Sequence, residues 1–395
     1  MVLTARDAPS IFRGPFRSEH ALATPIETSP DAVLRALNDV RDPSSGKPLG
    51  DVKLVKGVEP LEGNAVRVQI VLPTPASPHK RALEDLIREK LNFFNFSRIE
   101  VAFSSEVRPS AAKGTGTDLV PTVKNVILVG SGKGGVGKST VSVNVAVALA
   151  QMGAKVGLLD ADIYGPSIPM MMGLFGGRPT SGDGKKVLPL MAYGVKVISI
   201  GFFVDPDQAM IWRGPMLHGA LVQLLRDVEW GELDYLILDL PPGTGDIQLT
   251  IAQQVSTSGA VVVTTPQDVA LSDAIKAKTM FDKVSIPVLG VVENMAGFIC
   301  PHCQHETEIF SKGGAELAAN KMSVPFLGRI PINLAVREGG DDGKPLVATR
   351  PELPEAQALV RVAQNIADRV ALANQLAVPR GQNAQKPLVQ LGKKA

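Results

Sequence analysis

Hydrophobic positions follow two different rhythms along this chain. Between 29 and 104 they come in short alternating or helically spaced groups, whereas beyond 124 they form continuous Val/Ile/Leu runs set between helical patterns. In the first region Ser29-Pro30 reads as a helix start, because serine caps free N–H groups and proline is pre-set for the first helical position. Val33, Leu34, Leu37 and Val40 follow at helical spacing. The segment 51–55, Asp51-Val52-Lys53-Leu54-Val55, alternates and predicts a strand, and 65–71 predicts a second. Ser77-Pro78 opens another helix with Leu83, Leu86, Ile87 and Leu91 on one side, and 98–101 closes the unit as a strand. The order α-β-β-α-β describes a small α+β domain over 29–104.

In the second region, apolar runs at 125–129, 155–159, 195–200, 235–238, 260–264, 288–292 and 325–330 predict strands. Helical patterns at 139–152, 215–228 and 268–281 lie between them, and one at 355–372 closes the domain. Strands that are apolar throughout are buried on both faces, which predicts an α/β domain over 124–376 with a mainly parallel sheet covered by helices. The intervening 105–123, with Pro109, Gly114, Gly116 and Pro121, reads as a linker whose flexibility lets the small domain move. Residues 1–28 lack periodicity and 377–395 are rich in Gln, Pro and Lys, so both ends are expected to be flexible.

Composition excludes more than it selects. A net charge of +2 gives no electrostatic reason to bind nucleic acid or an anionic membrane, so neither is expected as a partner. No apolar run reaches the roughly 18 residues of a membrane span, and Arg6, Asp7 and Pro9 stand where a secretory signal needs apolar residues. Two cysteines in 395 residues cannot make a disulfide framework, which points to a reducing, cytoplasmic setting where paired thiols bind metal or do redox work.

Directly after the run at 125–129 comes Gly130-Ser131-Gly132-Lys133-Gly134-Gly135-Val136-Gly137-Lys138-Ser139-Thr140, in which Gly132, Gly137, Lys138 and Ser139 satisfy G-x-x-x-x-G-K-[ST]. Glycines let backbone N–H groups converge on phosphate oxygens, and the helix that follows points its positive end at them. Lys138 is expected on the β- and γ-phosphates and Ser139 on Mg²⁺. Two further apolar runs end in carboxylates, at Asp160-Ala161-Asp162 and at Asp239, and the second continues as Pro241-Pro242-Gly243-Thr244-Gly245-Asp246, suited to sensing a γ-phosphate. Ligands of open parallel sheets collect at the carboxyl ends of strands, which is where all three segments lead.

Lys133, a charge inside the phosphate loop, resembles the signature lysine of a class of P-loop ATPases. The resemblance implies that Lys133 reaches the nucleotide of a partner subunit, as an arginine finger does. Four blocks narrow it further: 131–140, Asp160-Ala161-Asp162-Ile163-Tyr164-Gly165-Pro166-Ser167, 239–246 and Cys300-Pro301-His302-Cys303. In this order they resemble the Mrp/ApbC family of iron–sulfur carriers over 122–350, and the small domain is similar to the one that precedes the ATPase in longer members. The resemblance implies a P-loop NTPase fold and an ATP hydrolase with catalytic Lys133, Lys138 and Asp162, the last positioning the attacking water. Nucleotide contacts are then expected from Gly132, Gly134, Gly135, Val136, Gly137, Lys138, Ser139, Thr140 and Asp239, with Asn294 at the adenine. Related small domains often carry a cysteine in a Thr-Pro-x-Cys-Pro turn; here the turn is Thr74-Pro75-Ala76-Ser77-Pro78, which favours docking over thiol chemistry in this domain.

A C-x-x-C turn aims Cys300 and Cys303 at one centre. A [4Fe–4S] cluster is normally held by four thiolates and this chain has two, so a cluster requires a second copy, and a homodimer is what the ATPase resemblance implies. The same thiols could instead hold zinc, in a dimer or with His305, act as a redox pair, or carry no ligand. Under the family resemblance the chain receives a cluster from donors and delivers it to apo iron–sulfur proteins. The competing reading is a positioning ATPase of the MinD/ParA type, against which stand the tail Ala377-Val378-Pro379-Arg380-Gly381, which breaks an amphipathic helix, and the near-neutral charge.

Overall fold

The helix Pro30–Asn38 starts where Ser29 Oγ accepts a hydrogen bond from the Ala32 N–H, and it buries Val33 and Leu37. It belongs to the first of two units in a computed structural model that describes residues 29–376 except 111–117, 164, 183, 185, 205–213, 244–246, 248–250, 252–253, 301–302, 304 and 311–312. The expectations for 1–28 and 377–395, and for Tyr164, Thr244, Gly245, Asp246, Pro301 and His302, lie outside the described residues. The small unit's sheet consists of β1 (Val55–Leu61), β2 (Ala65–Leu72) and β3 (Arg98–Ser105), with β1–β2 antiparallel and β2–β3 parallel. Val66, Val68, Ile70 and Leu72 line one face of β2 and pack with Leu83, Ile87 and Leu91 of the helix Lys80–Leu91.

Two expectations fail in this unit. Residues 51–55 are not a strand: Leu49–Val52 forms a helical turn, ended by Lys53 in the left-handed conformation at φ 56°, and β1 begins at Val55. The alternation there reflects Val52, on the helical turn, and Leu54, just after it, both buried in the small unit's core. Leu86 is 38 % exposed, because a three-stranded sheet covers only the narrow stripe of Leu83, Ile87 and Leu91, spaced four apart.

The large unit is the predicted α/β layer. Its strands are β4 (Val126–Gly130), β5 (Val156–Asp160), β6 (Thr180–Ser181), β7 (Val187–Leu188), β8 (Leu190–Ala192), β9 (Val195–Ser199), β10 (Tyr235–Asp239), β11 (Thr257–Thr264), β12 (Val288–Ile299), β13 (Glu306–Thr307) and β14 (Phe326–Ile332). Nine of them form one sheet in the order β13-β12-β11-β4-β10-β5-β9-β8, with β14 also paired to β12. All its pairings are parallel except β8 with β9 and β12 with β13. Every residue of β4, β5 and β10 is buried, as continuous apolar runs require. The helix Lys138–Gln151 is buried on nearly all sides, held between the sheet and the helix Pro354–Leu376, so it shows no amphipathic stripe. Among the described residues no helix is long and apolar enough to cross a membrane.

The two units touch. Thr74 is fully buried, and its Oγ1 accepts a hydrogen bond from the Tyr235 hydroxyl at 2.9 Å, while Ala76 joins the large unit's core. Ser44 Oγ donates to Asp368 Oδ1 at 2.6 Å, and His79 Nε2 lies 3.7 Å from the other oxygen of Asp368. The described ends of the linker are pinned rather than loose: Val107 and Val120 are buried in the large core, the Ser110 N–H donates to the Lys124 carbonyl at 2.8 Å, and the Leu119 N–H to the Gln254 carbonyl at 3.2 Å. Free movement of the small unit, expected from the linker's composition, is not what these contacts describe. Tyr235 opens β10 and Asp239 closes it, so the small unit docks at the end of the sheet opposite the carboxyl ends.

Candidate functional site

Parallel pairing brings the last residues of β4, β5 and β10 to one edge, with Asp239 in register with Asp160 and Val129. From Gly130 the chain turns through the phosphate loop into the helix that begins at Lys138, with Gly135 and Gly137 at φ 78° and 79°, values that favour glycine. Gly132 has no room for a side chain, since a Cβ there would lie 2.1 Å from the Asp273 carbonyl oxygen. Ser131 Oγ donates to the Lys133 carbonyl at 2.9 Å, and the Gly243 N–H donates to the Ser131 carbonyl at 3.1 Å, tying the loop to the segment after β10.

Lys138 is 6 % exposed, and its Nζ lies 2.7 Å from Asp239 Oδ2 and 3.9 Å from Asp162 Oδ2. Asp239, fully buried, also accepts from Ser139 Oγ and from Ser142 Oγ, each at 2.6 Å. Lysine and two hydroxyls therefore compensate one buried carboxylate. Ser139 Oγ and Asp239 Oδ2 form an all-oxygen donor pair of the kind a hard divalent cation takes. Asp160, also fully buried, accepts from the Asp162 N–H at 3.1 Å, the Ile168 N–H at 3.3 Å and Ser199 Oγ at 3.0 Å. It thereby fixes the loop that carries Asp162. Burial, and then the neighbouring charge of Asp239, push the Asp160 carboxyl up to about 8.

Lys133 is half-buried on the loop, and Gly134 and Gly135 are exposed beside it. Lys138, Ser139, Asp162 and Asp239 are thus brought together, while Lys133 makes no ion pair with a described residue. Asn294, from β12, reaches the same loop: its Nδ2 donates to the Val136 carbonyl at 2.9 Å. Sequence reasoning missed three contributors. Ser142 sits one helical turn beyond Lys138 and Ser199 ends β9, each an isolated hydroxyl with no motif around it. Asp160 was visible as a carboxylate, but not as the acceptor that organises its own loop.

The thiols lie further along β12. The sequence suggests a strand ending near Asn294, whereas β12 continues to Ile299 and returns: Phe298 pairs with Thr307 and Ile299 with Glu306, and the Cys300 N–H donates to the His305 carbonyl at 3.0 Å. Cys300 and Cys303 therefore occupy the tip of a β-hairpin, the first half-buried and the second exposed. Ile309 and Phe310, just past the hairpin, are 52 % and 36 % exposed. Among the described residues no group of three or more His, Cys, Asp or Glu converges as a metal site, so this hairpin offers one chain's pair of thiols.

Comparison with known proteins fits this geometry. A family model described as the NUBPL iron-transfer P-loop NTPase matches residues 122–367, and one described as an iron-sulfur cluster assembly protein matches 30–93. The chain is 47% identical over 348 residues to an iron-sulfur cluster carrier protein of Synechocystis sp., covering 87% of this chain and 98% of that one. It is 57% identical over 249 residues to an iron-sulfur cluster carrier protein of Escherichia coli (strain K12), covering 63% of this chain and 66% of that one. Among solved structures, a nucleotide-binding protein from Archaeoglobus fulgidus in complex with ADP, with Co, superposes with a TM-score of 0.52 at 41% identity, covering 60% of this chain and 91% of that chain.

Proposed function

The chain belongs to the NUBPL iron-transfer P-loop NTPase family, and from that premise we propose that it is an ATP-hydrolysing carrier that holds a [4Fe–4S] cluster between two copies of itself and passes it to apo-proteins. The observation that carries the reading is the hairpin: two thiols at an accessible tip, on the strand that also touches the phosphate loop. Four thiolates are the usual complement of such a cluster and one chain supplies two, so the cargo is shared and half-exposed, and a recipient's thiols can replace one side. Reduced thiols of this kind persist in a reducing compartment, and the cytoplasm is the location we expect.

At the phosphate edge, Lys138 exchanges its contact with Asp239 for the β- and γ-phosphates. Ser139 and Asp239 are the residues that would hold Mg²⁺, which when bound neutralises charge on the β- and γ-phosphate oxygens. Asp162, fixed by Asp160, orients water toward the γ-phosphate, and Lys133 reaches across to the partner's nucleotide. Asn294, which donates to the loop's Val136 carbonyl, is the residue we assign to adenine on the family resemblance. ATP binding then favours one dimer arrangement and ADP another, and the two arrangements differ in how they bring the four sulfurs together.

The test is anaerobic reconstitution with iron and sulfide. Cys300→Ala should lose the visible chromophore while still binding ATP, and equal iron content in variant and wild type would remove the carrier reading.

A further inference from the structure

The phosphate loop and the thiol hairpin are joined by a single strand, which is held by a buried charge cluster at Glu293 and irregular just beyond Asn294. Asn294 is 6 % exposed and donates to the Val136 carbonyl of the loop at 2.9 Å. The same amide lies so close to the loop's last glycine that a Cβ on Gly137 would come within 2.2 Å of Asn294 Nδ2. One residue earlier, Glu293 is fully buried and held by Arg329 Nε at 3.1 Å, the Gly313 N–H at 3.2 Å and the Ala315 N–H at 2.8 Å. Beyond Asn294 the regularity breaks: Met295 and Gly297 adopt φ values of 60° and 78°, and the register with β14 shifts between Asn294 and Phe298. Pairing resumes at Phe298 and Ile299, which lead into Cys300. Gly297 packs on the returning strand, where a Cβ would meet Glu306 Oε1 at 2.9 Å.

Between Asn294 and the hairpin, the step at 295–297 is where regular pairing with β14 lapses. Upstream, Glu293 is fixed in a buried charge cluster; downstream, an irregular step leads directly to both thiols. We propose that Asn294 is a positioning residue that reports occupancy of the phosphate loop to Cys300 and Cys303 through the irregular step at 295–297. When the loop's N–H groups turn onto phosphate, the Val136 carbonyl moves with them, the amide follows, and the hairpin tip is re-aimed. Linkage makes the effect reciprocal: whatever occupies the thiols changes nucleotide affinity by the same factor. The inference draws its biological meaning from the carrier reading, but the coupling itself is a property of the metal-free chain.

The experiment uses the reduced, metal-free, full-length protein. The rate of thiol alkylation by N-ethylmaleimide is followed by mass spectrometry without nucleotide and with saturating Mg·ADP, saturation being set with a fluorescent ADP analogue. Wild type should change rate by about fivefold or more, the lower range of measured couplings between sites. Asn294→Ala, at its own saturating ADP, should show no change. Gly297→Ala, which lies outside the phosphate loop, should bind ADP as wild type does and lose the response, which keeps the test decisive if Asn294→Ala cannot be saturated. A wild-type rate indifferent to ADP, or a full response in either variant, overturns the proposal. Because no iron is present, the outcome is separate from iron uptake: a chain that responds to ADP but takes up no iron keeps the coupling and loses the carrier role.

Discussion

Tyr235 and Thr74, 161 residues apart in sequence, share a buried hydrogen bond of 2.9 Å at the contact between the two units. Tyr235→Phe removes the donor and should lower stability by about 1 kcal/mol in urea unfolding. Thr74→Val should cost more, because it also takes the acceptor from the Ala76 N–H at 3.2 Å, and the double variant should lose less than the sum, because both singles break the Tyr235 bond. Strict additivity would mean that the hydroxyls meet without an energetic link.

Lys138 is the only cation within 4 Å of Asp239 among the described residues. Lys138→Ala leaves a fully buried carboxylate with two hydroxyl donors and no counter-charge, which should cost about 3 kcal/mol in the nucleotide-free protein. Adding Asp239→Asn should recover much of that loss, since a neutral amide needs no cation. Urea midpoints of the single and double variants decide the matter; a double variant no better than the single one would show that charge is not what the lysine balances.

Asp160 gives a pH signature. Burial and the charge of Asp239 raise its folded-state pKa to about 8, above the ordinary carboxylate value of 3.8. Between those values the folded chain keeps a proton that the unfolded chain has released, so this group's contribution to stability falls as pH rises from about 4 to about 8 and is level above that. Asp160→Asn abolishes the titration. The stability difference, variant minus wild type, should therefore grow with pH through that window by an amount on the order of a few kcal/mol. A difference that is flat with pH would mean that Asp160 is ionised throughout, as its three hydrogen-bond donors favour.

Much of this was legible in the sequence because local chemistry dictated it. Ser29-Pro30 specified a helix start, the buried runs specified a parallel sheet, and Gly132 to Ser139 specified a phosphate loop through residues with no other use in that order. What escaped depended on long-range placement. Thr74 and Tyr235 are unremarkable singly, and only the docked fold pairs them. The extension of β12 to Ile299 was hidden because polar Glu293 and Asn294 resemble a strand end, whereas Glu293 is buried against Arg329. Residues 51–55 alternate like a strand although Asp51 and Val52 end the helical turn Leu49–Val52, because so short a segment does not separate a helical from an alternating pattern.

For Lys133, mixing variant chains of the proposed homodimer separates action across the interface from action within one chain. A Lys133→Ala chain keeps its own Lys138, and paired with a Lys138→Ala chain it can receive Lys133 from its partner. Each homodimer should be inactive in ATP hydrolysis and the mixture should regain part of the rate. No recovery would place Lys133 in service of its own nucleotide.

The sharing of one cluster by two chains is tested most directly by native mass spectrometry of the anaerobically reconstituted protein. A species of two chains carrying four iron and four sulfide ions, absent when Cys303 is replaced by alanine, is the predicted result. An iron-loaded single chain, persisting on dilution, would contradict it.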